Sequence, residues 1–141
     1  MPVVVACETE DDAHIVAEAA EIASAFNDEL HVLTVLTLEN LGDDIGPGGP
    51  DEAAQERLER EAASRAEAIA ASAAVDDVVP VGKVASSVAQ AILDYVESVD
   101  TRYVVIGGRK RSPVGKALFG STGQKVLLES SAPVLSVRAS E

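Results

Sequence analysis

A chain of 141 residues with one cysteine, two histidines and 3% aromatic residues cannot build an intramolecular disulfide, a cysteine metal cage or a base-stacking surface. Its formal net charge of −13 argues against nucleic acid or an anionic membrane as partner, and no apolar run approaches the roughly 20 residues of a membrane span. The length fits one domain, residues 1–141, of a soluble intracellular protein with enough core to fold without a staple.

The charge is uneven, with −16 on residues 1–81 and +3 on residues 82–141. A solvated acidic surface of this kind suits a salt-rich cytoplasm, where cations screen self-repulsion, and points to a halophilic source. An acidic patch for a basic partner is the alternative.

Along the chain, residues 3–7 form a short β-branched run, the first strand. Thr9-Glu10-Asp11-Asp12 follows as a helix-capping pattern. Ile15, Ala19, Ile22 and Phe26 then recur on one helix face. The second strand is 30–38, apolar on both faces. Glycine and proline crowd residues 41–50, which read as a mobile loop. A long helix spans 51–74 with the stripe Leu58, Ala62, Ala66, Ile69 and Ala73. The third strand is 76–81. Val88, Ile92, Tyr95 and Val99 mark the next helix. A fourth strand at 103–106 ends in Gly107-Gly108, and a helix over 121–130 and a strand over 133–138 finish the chain.

Doubly apolar strands alternating with helices imply an α/β fold, an open parallel five-stranded sheet with helices on both faces. Ligands of such sheets bind beyond the carboxyl ends of the strands, where strand order reverses. That places Glu8, Val35 and the segment from Gly107 onward at the site. The segment 107–122 leaves a buried strand, passes Arg109, Lys110, Arg111 and Lys116, and enters a helix. Glycines permit close backbone approach, and a helix start attracts anions. These features describe a phosphate cradle. A plain surface loop before a capped helix is the competing reading, since Ser121 and Gln124 form an S-x-x-Q capping pattern.

At these residues the chain resembles the universal stress protein family. Nucleotide-binding members carry a glycine, two residues, a glycine, nine residues, then Gly-Ser or Gly-Thr. Gly107 and Gly120-Ser121 fit that pattern, and Lys110 stands where the second glycine belongs. Leu30-His31-Val32-Leu33, Gly82 and Ala132-Pro133-Val134-Leu135 extend the resemblance over nearly the whole chain. It implies a homodimer and, in one subgroup, ATP or ADP bound at the ends of strands 1 and 4, with Mg²⁺ held mainly by phosphate oxygens and water. Glu8 takes the place of the aspartate that contacts the nucleoside. On that resemblance Val35 and Ile106 should flank adenine, and phosphates should sit at Gly120, Ser121 and Thr122, with Gly107 turning close beneath them. Lys110 either sets an ammonium on a phosphate or fills the space a glycine leaves open. The alternative function is a dimeric interaction module of the same fold that binds no nucleotide.

Residues 133–138, last in the chain and apolar, belong at a sheet edge, where pairing with a second copy removes an aggregation hazard. Cys7 reads as core rather than nucleophile, and His14 and His31 as structural or exposed. No phosphoacceptor aspartate ends the third strand, and no Ser-His-Asp order accompanies a nucleophile elbow. The sequence therefore offers no catalytic machinery beyond slow nucleotide hydrolysis.

Overall fold

A computed structural model describes residues 1–38, 51–108 and 120–138. The expected loop at 41–50 and the basic residues Arg109, Lys110, Arg111 and Lys116 lie outside that range. Five strands, β1 (Val3–Ala6), β2 (Leu30–Thr37), β3 (Val79–Ala85), β4 (Tyr103–Gly108) and β5 (Val134–Arg138), form one parallel sheet in the order β3-β2-β1-β4-β5. The chain steps outward from β1 to β3, then returns to the other side of β1 for β4. The expected architecture is therefore observed, with the last strand at an edge.

Alternation along β1 splits the core into two layers. Val3 and Val5 pack with Ile15, Val16 and Ala19 of α1 (Ala13–Phe26) and Ala66 and Ile69 of α2 (Glu52–Ser72). Val4 faces the other way, against Ala89, Ile92 and Val96 of α3 (Val88–Ser98) and Val126 of α4 (Ser121–Glu129). Strands buried on both faces need apolar residues at successive positions, which is why β1 reads Val-Val-Val.

The capping pattern after β1 works as the sequence implies, through a short 3-10 turn at Glu10–Asp12. Thr9 Oγ1 accepts the Asp11 N–H at 3.2 Å, and the Asp12 carboxylate accepts the Glu8 N–H at 2.7 Å. Asn27 closes α1 in the left-handed region at φ 57°, a conformation asparagine tolerates at a helix end.

Three expectations need correction. Phe26 is 45% exposed rather than core. It sits at the last position of α1, beyond the sheet layer, where its ring stacks 4.3 Å from the Arg102 guanidinium and 5.9 Å from Tyr103. The third strand runs 79–85, not 76–81. Asp76 and Asp77 precede it in the connection, while Gly82 and Lys83 continue it in register with Thr34 and Val35. Gly107 and Gly108 belong to β4, paired with Val137 and Arg138; a glycine pair looks like a loop in sequence but satisfies a ladder as well as any residue.

Candidate functional site

The reversal of strand order leaves the carboxyl ends of β1 and β4 side by side. A cavity of about 880 Å³ opens there. Seven of the eight candidate residues line it: Glu8, Val35, Ile106, Gly107, Gly120, Ser121 and Thr122. Lys110 lies outside the described residues. Sequence reasoning missed Val88 and Ile92 of α3, which form part of the apolar floor, and Asp11, Asp12 and His14 at the wall. The topology was the available signal for α3, because a crossover helix must begin near the strand ends it connects.

At the α4 end the structure overturns the capping-box reading. Gly120, not Ser121, is the N-cap residue, so the cap position carries no side chain. Ser121 is already helical. Among the described residues, nothing accepts from the N–H groups of Ser121, Thr122 and Gly123. An uncapped helix start with three free donors and the positive end of the macrodipole is an anion site in waiting.

At the β2 end, the Leu33 carbonyl accepts the Cys7 N–H at 3.0 Å, above the last β1 residue. Strand geometry turns the backbone groups of alternate residues toward the same neighbour. The N–H and C=O of Val35 therefore face the β1 side beyond the end of β1, where Val35 lines the cavity. Glu8 is exposed between these ends. Its backbone is pinned by Asp12, and no described residue pairs with its carboxylate.

Gly107 lines the cavity and also packs closely against α1. A Cβ there would meet Ile15 Cδ1 at 2.4 Å. The missing side chain makes room for the tip of Ile15 on α1.

Cys7 is buried and lies 3.6 Å from Thr34 Oγ1. Loss of solvent pushes its thiol up from 9.0 to about 11, only partly offset by the Thr34 hydrogen bond. The thiolate nucleophile is thus absent at neutral pH. Because the folded-state value is raised, this group's contribution to stability is complete below pH 9 and is lost as pH climbs toward 11. Urea denaturation at pH 8 and pH 10.5 should show Cys7→Ala losing less stability across that interval than wild type, by up to roughly 2 kcal/mol. Equal losses would mean that the thiol is not desolvated.

His31 is buried and structural, as expected. Its Nε2 lies 3.2 Å from the Glu29 carboxylate and its Nδ1 2.6 Å from the Tyr95 hydroxyl. With Nε2–H donating to the carboxylate, Nδ1 accepts the tyrosine proton. Tyr95 is shifted upward by desolvation and by the nearby Glu29 charge, which keeps that phenol a donor.

Among the described residues, no helix is long and apolar enough to cross a membrane. The family model described as universal stress protein family matches residues 1–138. A universal stress protein of Thermus aquaticus is 35% identical over 124 residues, covering 86% of this chain and 88% of that protein. Another, from Mycolicibacterium smegmatis, is 49% identical over a stretch covering 33% of this chain and 36% of its own length. Among solved structures, a universal stress protein from Archaeoglobus fulgidus superposes with a TM-score of 0.64 at 29% identity, covering 96% of this chain and 97% of that one. One from the same organism in complex with dAMP gives a TM-score of 0.58 at 25% identity, with 96% of each chain covered. With the sheet order, the cavity and these matches in agreement, the chain belongs to the universal stress protein family.

Proposed function

We propose that this chain is a regulatory adenine-nucleotide-binding protein of the cytoplasm, acting as a homodimer. The observation that carries the reading is the gathering of three complementary surfaces in one cavity. The Val35 N–H and C=O offer a donor and an acceptor to the edge of a base, and adenine presents the matching acceptor and donor. Ile106, Val88 and Ile92 give the ring an apolar bed. The uncapped start of α4 offers N–H groups to phosphate. Glu8 lines the same cavity and would contact the ribose. The dAMP bound by the Archaeoglobus relative supports the ligand class. ATP or ADP fits the same donors, with Mg²⁺ carried mainly on phosphate oxygens and water.

For the dimer, the support is the open outer edge of β5. Leu135 there is 38% exposed, and Leu127 and Leu128 of the preceding helix are 44% and 74% exposed. Covering this apolar edge with its own copy satisfies backbone and side chains together. The acidic surface fits a halophilic source.

Calorimetric titration with Mg-ATP, Mg-ADP and AMP in molar KCl tests the reading, with light scattering on the same preparation. Binding of at least one nucleotide by a dimer is expected. A dimer that gives no heat and no thermal protection at millimolar nucleotide would leave the interaction module as the function.

A further inference from the structure

We infer that the outer edge of β3 and the facing side of α3 take up an extended segment of a partner protein, which adds to the sheet as a further strand and sets a carboxylate side chain against Lys83. This site is separate from the nucleotide cavity and lies at the opposite edge of the sheet from β5. A groove of about 460 Å³ runs there between residues 83–85 of β3 and α3. It is built within one unbroken described stretch, residues 83–98. Its α3 wall is the exposed stripe Gln90, Asp94 and Ser98, with Tyr95 beside it. That stripe follows the helix for about 12 Å, roughly the length of four residues of extended chain.

The main chain of β3 offers the pairing groups. The Leu38 N–H donates to the Ala85 carbonyl at 3.1 Å, so Ala85, and by alternation Lys83 and Val81, turn their main-chain groups toward β2. Those of Pro80, Gly82 and Val84 turn outward. Pro80 fits that parity, since an edge strand accepts proline where the missing N–H would face away from the sheet. Val84 also shares the parity of Gly82, whose Cβ would meet α2. Its side chain therefore lies on the α2 face, and its main chain is what lines the groove. The Gln55 side-chain amide donates to the Val84 carbonyl at 3.5 Å. The N–H of a docked strand would bond it at about 2.9 Å.

Lys83 selects the chemistry of the segment. Its ammonium lies 5.8 Å from the centre of the Tyr95 ring, and among the described residues no carboxylate is within ion-pair distance of it. Asp94, on the far wall, is held by the Gln90 amide at 2.8 Å. In antiparallel addition the residue opposite Lys83 makes a non-hydrogen-bonded pair, the kind in which side chains come closest. A glutamate or aspartate there forms an opposite-charge cross-strand pair. Strand addition supplies the affinity through main-chain bonds, and Lys83 supplies the choice.

NMR titration of the isotope-labelled full chain, at the lowest salt at which it is folded, uses acetyl-Thr-Val-Glu-Val-Thr-amide and the same peptide with lysine in place of glutamate. The glutamate peptide is expected to shift the amide signals of residues 82–87 and 90–98, and to bind about fivefold or more tighter than the lysine peptide. Lys83→Glu should invert that preference. Val84→Pro keeps every bond to β2, because the N–H it removes faces away from that strand, and should weaken peptide binding about tenfold. If that variant does not fold, the glutamate peptide methylated on both valine nitrogens takes its place and should fail to bind. An absence of shifts in that stretch at millimolar peptide overturns the inference. Equal binding of the two peptides, an unchanged preference in Lys83→Glu, or full binding by Val84→Pro or of the methylated peptide does the same. A smaller assembly of Val84→Pro in light scattering would give the edge to a second copy and overturn it too.

Discussion

Gly82→Ala is expected to lower stability by about 3 kcal/mol or more, at the upper end of what overpacking costs. An added Cβ would lie 2.0 Å from the Glu59 carbonyl oxygen, 2.4 Å from the Ala63 backbone nitrogen and 2.8 Å from the Ala62 Cβ. Two of these are helix backbone, which cannot rotate aside as a side-chain tip can. The α2 helix would have to lift off β3. Lifting it exposes Ala62 and Ala66, both fully buried, and loosens the edge of the sheet. Small residues on α2 and a glycine on β3 are one device, since close approach of helix to strand requires both. The denaturant midpoint of the variant reads the effect. A stability within about 1 kcal/mol of wild type would show that α2 is free to shift.

Gly120→Val is expected to weaken nucleotide binding about a hundredfold or more, the loss of two or three charge-assisted hydrogen bonds. Gly120 has φ −69° and ψ 170°, an extended conformation open to any residue, so the substitution does not strain the backbone. Valine there stands over the first turn of α4 and screens the N–H groups of Ser121, Thr122 and Gly123 from a phosphate. Melting temperature and dimer content should change little while affinity collapses. Unchanged affinity would place the anion elsewhere and remove the α4 terminus from the site.

Much of this was legible in the residues. The two-faced apolar strands gave the parallel sheet, and the Gly107-to-Ser121 spacing pointed to the cavity that seven candidate residues share. What was not legible depended on neighbours distant in sequence. Gly82 looks like the end of a strand until α2 is seen lying on it. Gly107 shows a packing role beside the expected one only once Ile15 of α1 is seen next to it. Ser121 carries a good capping pattern, but the helix begins one residue sooner than that pattern needs, and no described residue bonds the hydroxyl. Phe26 keeps the spacing of its stripe but lies past the layer that would bury it. His14 carried no signal of its own, because its partners are main-chain oxygens, one of them 124 residues away.

The placement of β1 in the middle of the sheet sets the order of assembly during synthesis. Residues 3–5 pair on one side with 30–32 and on the other with 103–105. While the ribosome is still making α3, the emerged chain can form only β3-β2-β1, with its most apolar strand at a raw edge. Closure waits for β4, and β4 waits for β5 in turn. Non-local parallel pairing of this kind is slow to form. The acidic residues concentrated ahead of position 82 lie on the part of the chain that is synthesised first, where like charges oppose association between copies.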